Sequence, residues 1–158
     1  MTELRIKGIA LSRDSQTPFI LLQSADGQHV VPITVGPFEA SAILVEMEGV
    51  KPPRPLTHDL LAQFIQQHKF RLESMEVYGL LEGKHLSRIH YKRGLRRYTM
   101  EVRPSDGIAL AVRLNARMLI SDDLLRSDLY DLSILDNFDP YSTEVLYLDS
   151  AQANQSFM

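Results

Sequence analysis

The sequence contains no cysteine, which excludes disulfides and thiolate metal sites and suits a reducing cytosol. Long hydrophobic runs are also missing: nothing approaches the roughly 20 apolar residues that span a bilayer. The opening MTELRIKGIALSRDSQ lacks the apolar stretch of a secretory leader. A cytoplasmic protein without membrane contact is therefore expected. There is no Gly-rich phosphate loop, no Ser-His-Asp arrangement and no dinucleotide fingerprint; VYGLLEG reads as a turn into a hairpin. HxxxH and DxD spacings are absent, and His58-Asp59 is the lone adjacent pair of that kind. Nor is there an excess of positive charge, because the net charge of −3 argues against a surface given over wholly to nucleic acid.

What is present is a 158-residue chain, 44% hydrophobic and 23% charged, long enough to bury a core as one domain. Its charge is segregated. Residues 84–103 hold seven Lys or Arg and one Glu, a local +6, whereas residues 121–150 hold eight Asp or Glu and one Arg, a local −7.

LRIKGIALS and PFILLQS read as strands, and SADGQHVVPITV turns through Asp26-Gly27 into a third. Gly36-Pro37 ends that strand and starts the helix FEASAILVEMEG, since proline suits a first helical turn. KPPRP is a stiff connector. Thr57 is expected to cap a second helix, HDLLAQFIQQHK, with Leu60, Leu61, Phe64 and Ile65 as its apolar stripe. FRLESMEVYGLL, KHLSRIHYK and LRRYTMEV form an antiparallel meander with turns at Glu82-Gly83 and Arg93-Gly94. RPSDGIALAVRLNA is the third helix and RMLIS a short strand. SDDLLRSDLYDLS opens a fourth helix capped by Ser121, and DSAQANQSFM is expected to be loose.

VGPFEASAILVEMEG (35–49) aligns without gaps on VRPSDGIALAVRLNA (102–116) at an offset of 67. Each segment runs strand, proline, acid, apolar helix, the mark of one supersecondary unit used twice. Helical spacing places Ala40, Ile43, Leu44 and Met47 on one face of the first helix, and Gly107, Leu110, Ala111 and Leu114 on the matching face of the other. Glu39 and Glu46 flank the first face; Asp106 and Arg113 flank the second. Two interpretations stand. In one, Ser105 caps the helix, Asp106 complements its positive start and Arg113 pairs with Glu46. In the other, Glu39 and Asp106 converge about a pseudo-twofold axis as paired carboxylates, which need a proton or a cation between them and so suit a hard metal.

The blocks VPITVGPFEASAI, RPLTHDLL and RPSDGIALAVRLNA resemble, in order, the signature blocks of the bifunctional nuclease domain family, over approximately residues 5–120. The resemblance implies an α+β domain with a mainly antiparallel sheet, homo-oligomers, and hydrolysis of both RNA and DNA. The expected organisation is a nuclease-like domain over 1–120, with an acidic C-terminal helix and tail over 121–158. Gly107 departs from the alanine expected there, and Asn115-Ala116-Arg117 replaces Gly-Ala-Pro, with Asn115 able to supply a left-handed helix stop.

The resemblance brings no catalytic set, so candidates come from chemistry. Phosphodiester hydrolysis needs an activated water and neutralised phosphate charge, often through a carboxylate-held cation. Glu39, Asp106, Glu46, His58 and Asp59 are the catalytic candidates, with Glu39 and Asp106 as ligands of Mg²⁺ or Mn²⁺. For RNA or DNA binding, a turn at Arg93-Gly94 would place His90 opposite Arg97 and Arg88 opposite Thr99, with Lys92 on the same cationic face. Arg54 and Arg103, each followed by proline, are further anion contacts or structural ion-pair partners. The competing functions are a non-catalytic oligomeric binding or regulatory module, and a small-anion site where the helix starts converge around Pro37 and Pro104.

Overall fold

The structure, a computed structural model, describes residues 1–12, 16–126 and 130, and the backbone of 143–148. Two three-stranded meanders dominate it. The first comprises β1 (Thr2–Ser12), β2 (Pro18–Ser24) and β3 (Val30–Thr34), and leads into α1 (Pro37–Met47). After α2 (Thr57–Gln67), the second comprises β4 (Arg71–Leu81), β5 (Lys84–Arg93) and β6 (Arg96–Val102), and leads into α3 (Pro104–Leu114). β7 (Arg117–Ile120), the short α4 (Asp122–Leu125) and β8 (Thr143–Leu148) complete the described elements. Residues 127–129 and 131–142, which include the later part of the expected fourth helix, and the tail from 149 lie outside the described residues.

The sheet order is β3-β2-β1-β7-β4-β5-β6, with β8 also paired to β1. Pairing is antiparallel except between β4 and β7. The fold is therefore α+β, and the duplication is larger than the helix alignment alone suggests: a whole meander-plus-helix unit occurs on each side of β7. α1 and α3 start and end 67 residues apart, at Pro37 and Pro104 and at Met47 and Leu114. The residue before each is extended, with ψ of 159° at Gly36 and 145° at Arg103. Asn115, at φ 52°, provides the left-handed stop of α3.

The core lies between the sheet and the helices. Ile43 of α1, Ile108 and Leu110 of α3, and Met75, Val77 and Ile89 of the second meander are all buried. Gly107 lets α3 approach closely, since a Cβ there would lie 2.6 Å from Met75 Cγ. The packing of a large methionine explains why glycine stands where alanine would favour the helix.

Several local expectations are corrected. Leu56, not Thr57, precedes α2, and Thr57 is its first residue. The Asp59 carboxylate accepts the Leu56 N–H at 2.9 Å, so the acid closes the first turn. Ser105 lies buried inside α3 and makes no capping bond; Ser121 precedes α4 but likewise makes none. Leu60, Leu61 and Phe64 are exposed rather than buried. Polar bonds from His58 and Asp59 to α3 set the rotation of α2, so that Ala62 and Ile65 face the core instead. The second hairpin turns at Gly94-Leu95, because Arg93 pairs with Arg96. Glycine with φ 57° at the first central position suits that turn.

Candidate active site

The sequence places Glu39 and Asp106 at equivalent positions, and the fold brings them together around one guanidinium. Arg103 donates from Nη1 to Glu39 Oε1 at 2.9 Å. Its Nε and Nη2 donate to the two Asp106 oxygens at 2.8 and 3.1 Å. His58, from the first turn of α2, bonds through Nε2 to Asp106 Oδ1 at 2.9 Å. Three helix starts thus meet in one cluster. Gly36 makes room for it, because the Glu39 carboxylate folds back over the Gly36 α-carbon where any side chain would collide.

Burial pushes the Asp106 carboxyl up, but the hydrogen bonds from Arg103 and His58 hold it below the ordinary carboxylate range. In return, Asp106 and then Glu39 raise Arg103 further above its already high value. In a neutral imidazole, ionised Asp106 selects the His58 tautomer that carries a proton on Nε2, which leaves Nδ1 as an acceptor. Three of the five Arg103 N–H groups are committed, leaving two. Its side chain is 64% exposed, against 14% for His58 and 20% for Glu39, so Arg103 is the group a ligand meets first.

Beside the cluster lies an open cleft of about 1010 Å³, lined by the ends of the two outer strands, by Gly36 and by Arg103 to Ser105. The β4–β5 turn contributes Glu82, Lys84 and His85. His85, which the sequence reading passed over, bonds through Nε2 to the Tyr130 hydroxyl at 2.8 Å. Burial lowers its pKa and raises that of Tyr130. Its only signal in the sequence is its place directly after a tight turn.

The other candidates sit elsewhere. Asp59 accepts from Arg113 Nε at 2.7 Å, so Arg113 pairs with Asp59 and not with Glu46. Arg113 also donates to the Ala42 and Ala109 carbonyls at 2.9 and 3.0 Å, and its side chain is 4% exposed. This is a structural tie among three helices. Glu46 lines a separate cleft of about 490 Å³ with Asp59 and Arg113. Arg54 is exposed on the connector.

The cationic face of the hairpin is mostly neutralised by its own sheet. Its register places His90 opposite Thr99 and Arg88 opposite Glu101, two residues from the expected pairing, so the same side chains still share a face. Buried Glu76 receives Arg88 at 2.9 and 3.2 Å and His90 at 2.6 Å. Lys92 pairs with Glu73 at 3.2 Å. Arg97 remains exposed on that face. The pairing of Glu73 and Glu76 with these cations depends on bulges between Leu72 and Ser74 and between Val77 and Gly79, which strict alternation does not reveal.

The cluster does not fit a divalent cation as arranged. The guanidinium bridges the two carboxylates proposed as ligands, and among the described residues no group of three or more His, Asp or Glu side chains is placed to hold a metal.

The bifunctional nuclease domain family matches residues 20–132. Two uncharacterized proteins, from two strains of Mycobacterium tuberculosis, are each 32% identical over 158 residues, covering 100% of this chain and 93% of their own. No helix among the described residues is long and apolar enough to cross a membrane.

Proposed function

Because the chain belongs to the bifunctional nuclease domain family, we propose that it hydrolyses phosphodiester bonds of RNA and DNA at the Glu39–Arg103–Asp106–His58 cluster. The observation that carries this is the exposed Arg103 guanidinium, fixed by two carboxylates at the wall of an open cleft.

Arg103 binds the scissile phosphate through its two uncommitted N–H groups and offsets the negative charge that develops in the transition state. Glu39 and Asp106 hold the guanidinium rigid, so little reorganisation accompanies the reaction. Asp106 also orients His58, whose Nδ1 takes the proton of the attacking water as its oxygen bonds to phosphorus; the P–O bond to one strand end breaks, and the departing oxygen takes a proton from bulk water. Lys84 and His85, which line the same cleft, contact the flanking strand. The Mg²⁺ or Mn²⁺ expected from carboxylate chemistry has no step here, since the guanidinium occupies the position between its two ligands.

The test is cleavage of end-labelled single-stranded RNA and DNA by the purified protein and by Arg103→Ala. Wild type should cut both, and the variant should be slower by about 10²-fold or more. A wild type that binds either strand without cutting it favours the alternative, a non-catalytic oligomeric binding module. The exposed Leu60, Leu61 and Phe64 face of α2 is the observation that speaks for that alternative.

A further inference from the structure

Like charges stand opposite one another at the Gly94-Leu95 end of the second meander. Arg71 of β4 is in register with Lys92 of β5, and Lys92 with Arg97 of β6. Three cations therefore form one row across three strands, on one face of the sheet. Directly opposed like charges destabilise a sheet, so the row stands against its own repulsion. Glu73 pairs with Lys92 at 3.2 Å. Arg71 and Arg97 are exposed and have no ion-pair partner among the described residues. The turn adds a second like-charge pair, Arg93 opposite Arg96. Arg93 lies over the Phe70 ring at 5.4 Å, whereas Arg96 is exposed and again without an ion-pair partner among the described residues. Five cations thus meet one carboxylate, Glu73, in a chain whose net charge is −3. Such a local field favours a bound anion.

The position of the row says which anion. β6 runs from it directly to the Arg103 cluster, and Arg97 and Arg103, six residues apart, share a face by alternation. At about 3.4 Å per residue the two are about 20 Å apart. Successive phosphates of one nucleic-acid strand advance by about 3.4 Å, so about six nucleotides bridge that distance. A chain of phosphates can occupy both places at once, whereas a lipid headgroup cannot reach from one to the other. Arg88 and His90, on the neighbouring strand between them, are already taken up by Glu76.

We propose that Arg71, Lys92, Arg96 and Arg97 form an exosite that grips the phosphates of a nucleic-acid strand about six nucleotides from the bond being cut. The inference rests on the nuclease reading for the other end of that strand, and it sets a minimum length for a tightly bound substrate. The exosite lies at the far end of β6 from the cleft, which it leaves open.

The test is binding of labelled single-stranded DNA of about 15 nucleotides, and of a trinucleotide, both with phosphorothioate linkages that resist hydrolysis. The full-length wild type is compared with Arg71→Gln/Arg97→Gln and with Arg5→Gln/Lys51→Gln, an equal change of charge at exposed positions elsewhere. Wild type should hold the long strand at least about tenfold more tightly than the trinucleotide. Arg71→Gln/Arg97→Gln should lose about tenfold or more on the long strand, and its salt slope should fall by about 1.4, since each single-strand phosphate contact contributes about 0.7. The control pair should change neither. Urea unfolding should find Arg71→Gln/Arg97→Gln no less stable than wild type, because it relieves repulsion. Equal affinities and slopes in the two double variants would overturn the exosite. So would a wild type that binds the trinucleotide as tightly as the long strand, or one that prefers phosphatidylserine vesicles or polyglutamate to DNA. A protein that binds the long strand through this row and cuts nothing would keep the exosite and remove the nuclease reading. One that cuts RNA and DNA with an unaltered KM in Arg71→Gln/Arg97→Gln would do the reverse.

Discussion

Arg103 and Glu39, 64 residues apart in the chain, meet at 2.9 Å where the two repeated units come together. Arg103 stands immediately before the proline of the second unit, and Glu39 lies two residues after the proline of the first. The contact therefore joins the two copies at the cluster proposed to act on phosphodiesters, with the guanidinium between the two carboxylates.

A second arginine has a purely structural part. Arg113 is buried and bonded to Asp59 and to two carbonyls of α1 and α3. Arg113→Met should destabilise the fold by about 3 kcal/mol, because Asp59 loses its ion-pair partner and the two helix carbonyls each lose a second donor in a mostly buried place. Urea unfolding of the variant should show a lower midpoint at an unchanged slope.

Gly107→Ala sets helix propensity against packing. The alanine favours the helix by about 1 kcal/mol, yet its Cβ would lie 2.6 Å from Met75 Cγ, and overpacking costs about 1–3 kcal/mol. The single variant should be less stable than wild type, whereas Gly107→Ala combined with Met75→Val should recover most of the loss. Thermal unfolding of the two variants checks the order.

Glu76 makes stability depend on pH. Burial raises its carboxyl, but the hydrogen bonds of Arg88 and His90 outweigh burial and hold it below its ordinary value. A depressed folded pKa contributes stability that is complete above the unfolded value of about 4.3 and is lost as pH falls from there through the folded pKa. Glu76→Gln should be less stable at neutral pH by about 1–2 kcal/mol. Its stability should also fall less between pH 5 and 3, as denaturant midpoints at each pH would show.

Much of this arrangement was legible in the sequence because the two units keep one order of residue types. Aligning Glu39 with Asp106 was enough to raise their convergence as one of two interpretations, and the shared helix bounds follow from the same match. Arg103 was recognisable only as a residue before proline; its bridging role depends on how two distant helix starts face each other. The stripe of Leu60, Leu61 and Phe64 misled because periodicity reports an apolar face and not what covers it. Polar ties from His58 and Asp59 turned that face outward. The cationic hairpin was legible as a face, but its neutralisation by Glu73 and Glu76 depends on β-bulges, which leave no simple mark in a sequence.

The measurement that bears most directly on the central claim is the cleavage rate of a labelled RNA and of the DNA of the same sequence, in excess chelator, by wild type, Arg103→Ala, His58→Asn and Asp106→Asn, each shown to be folded. Catalysis by the Arg103 cluster predicts that wild type cuts both strands with the metal removed, and that each variant loses about 10²-fold or more. Wild-type activity that vanishes with chelator, or that survives intact in the folded variants, would contradict it.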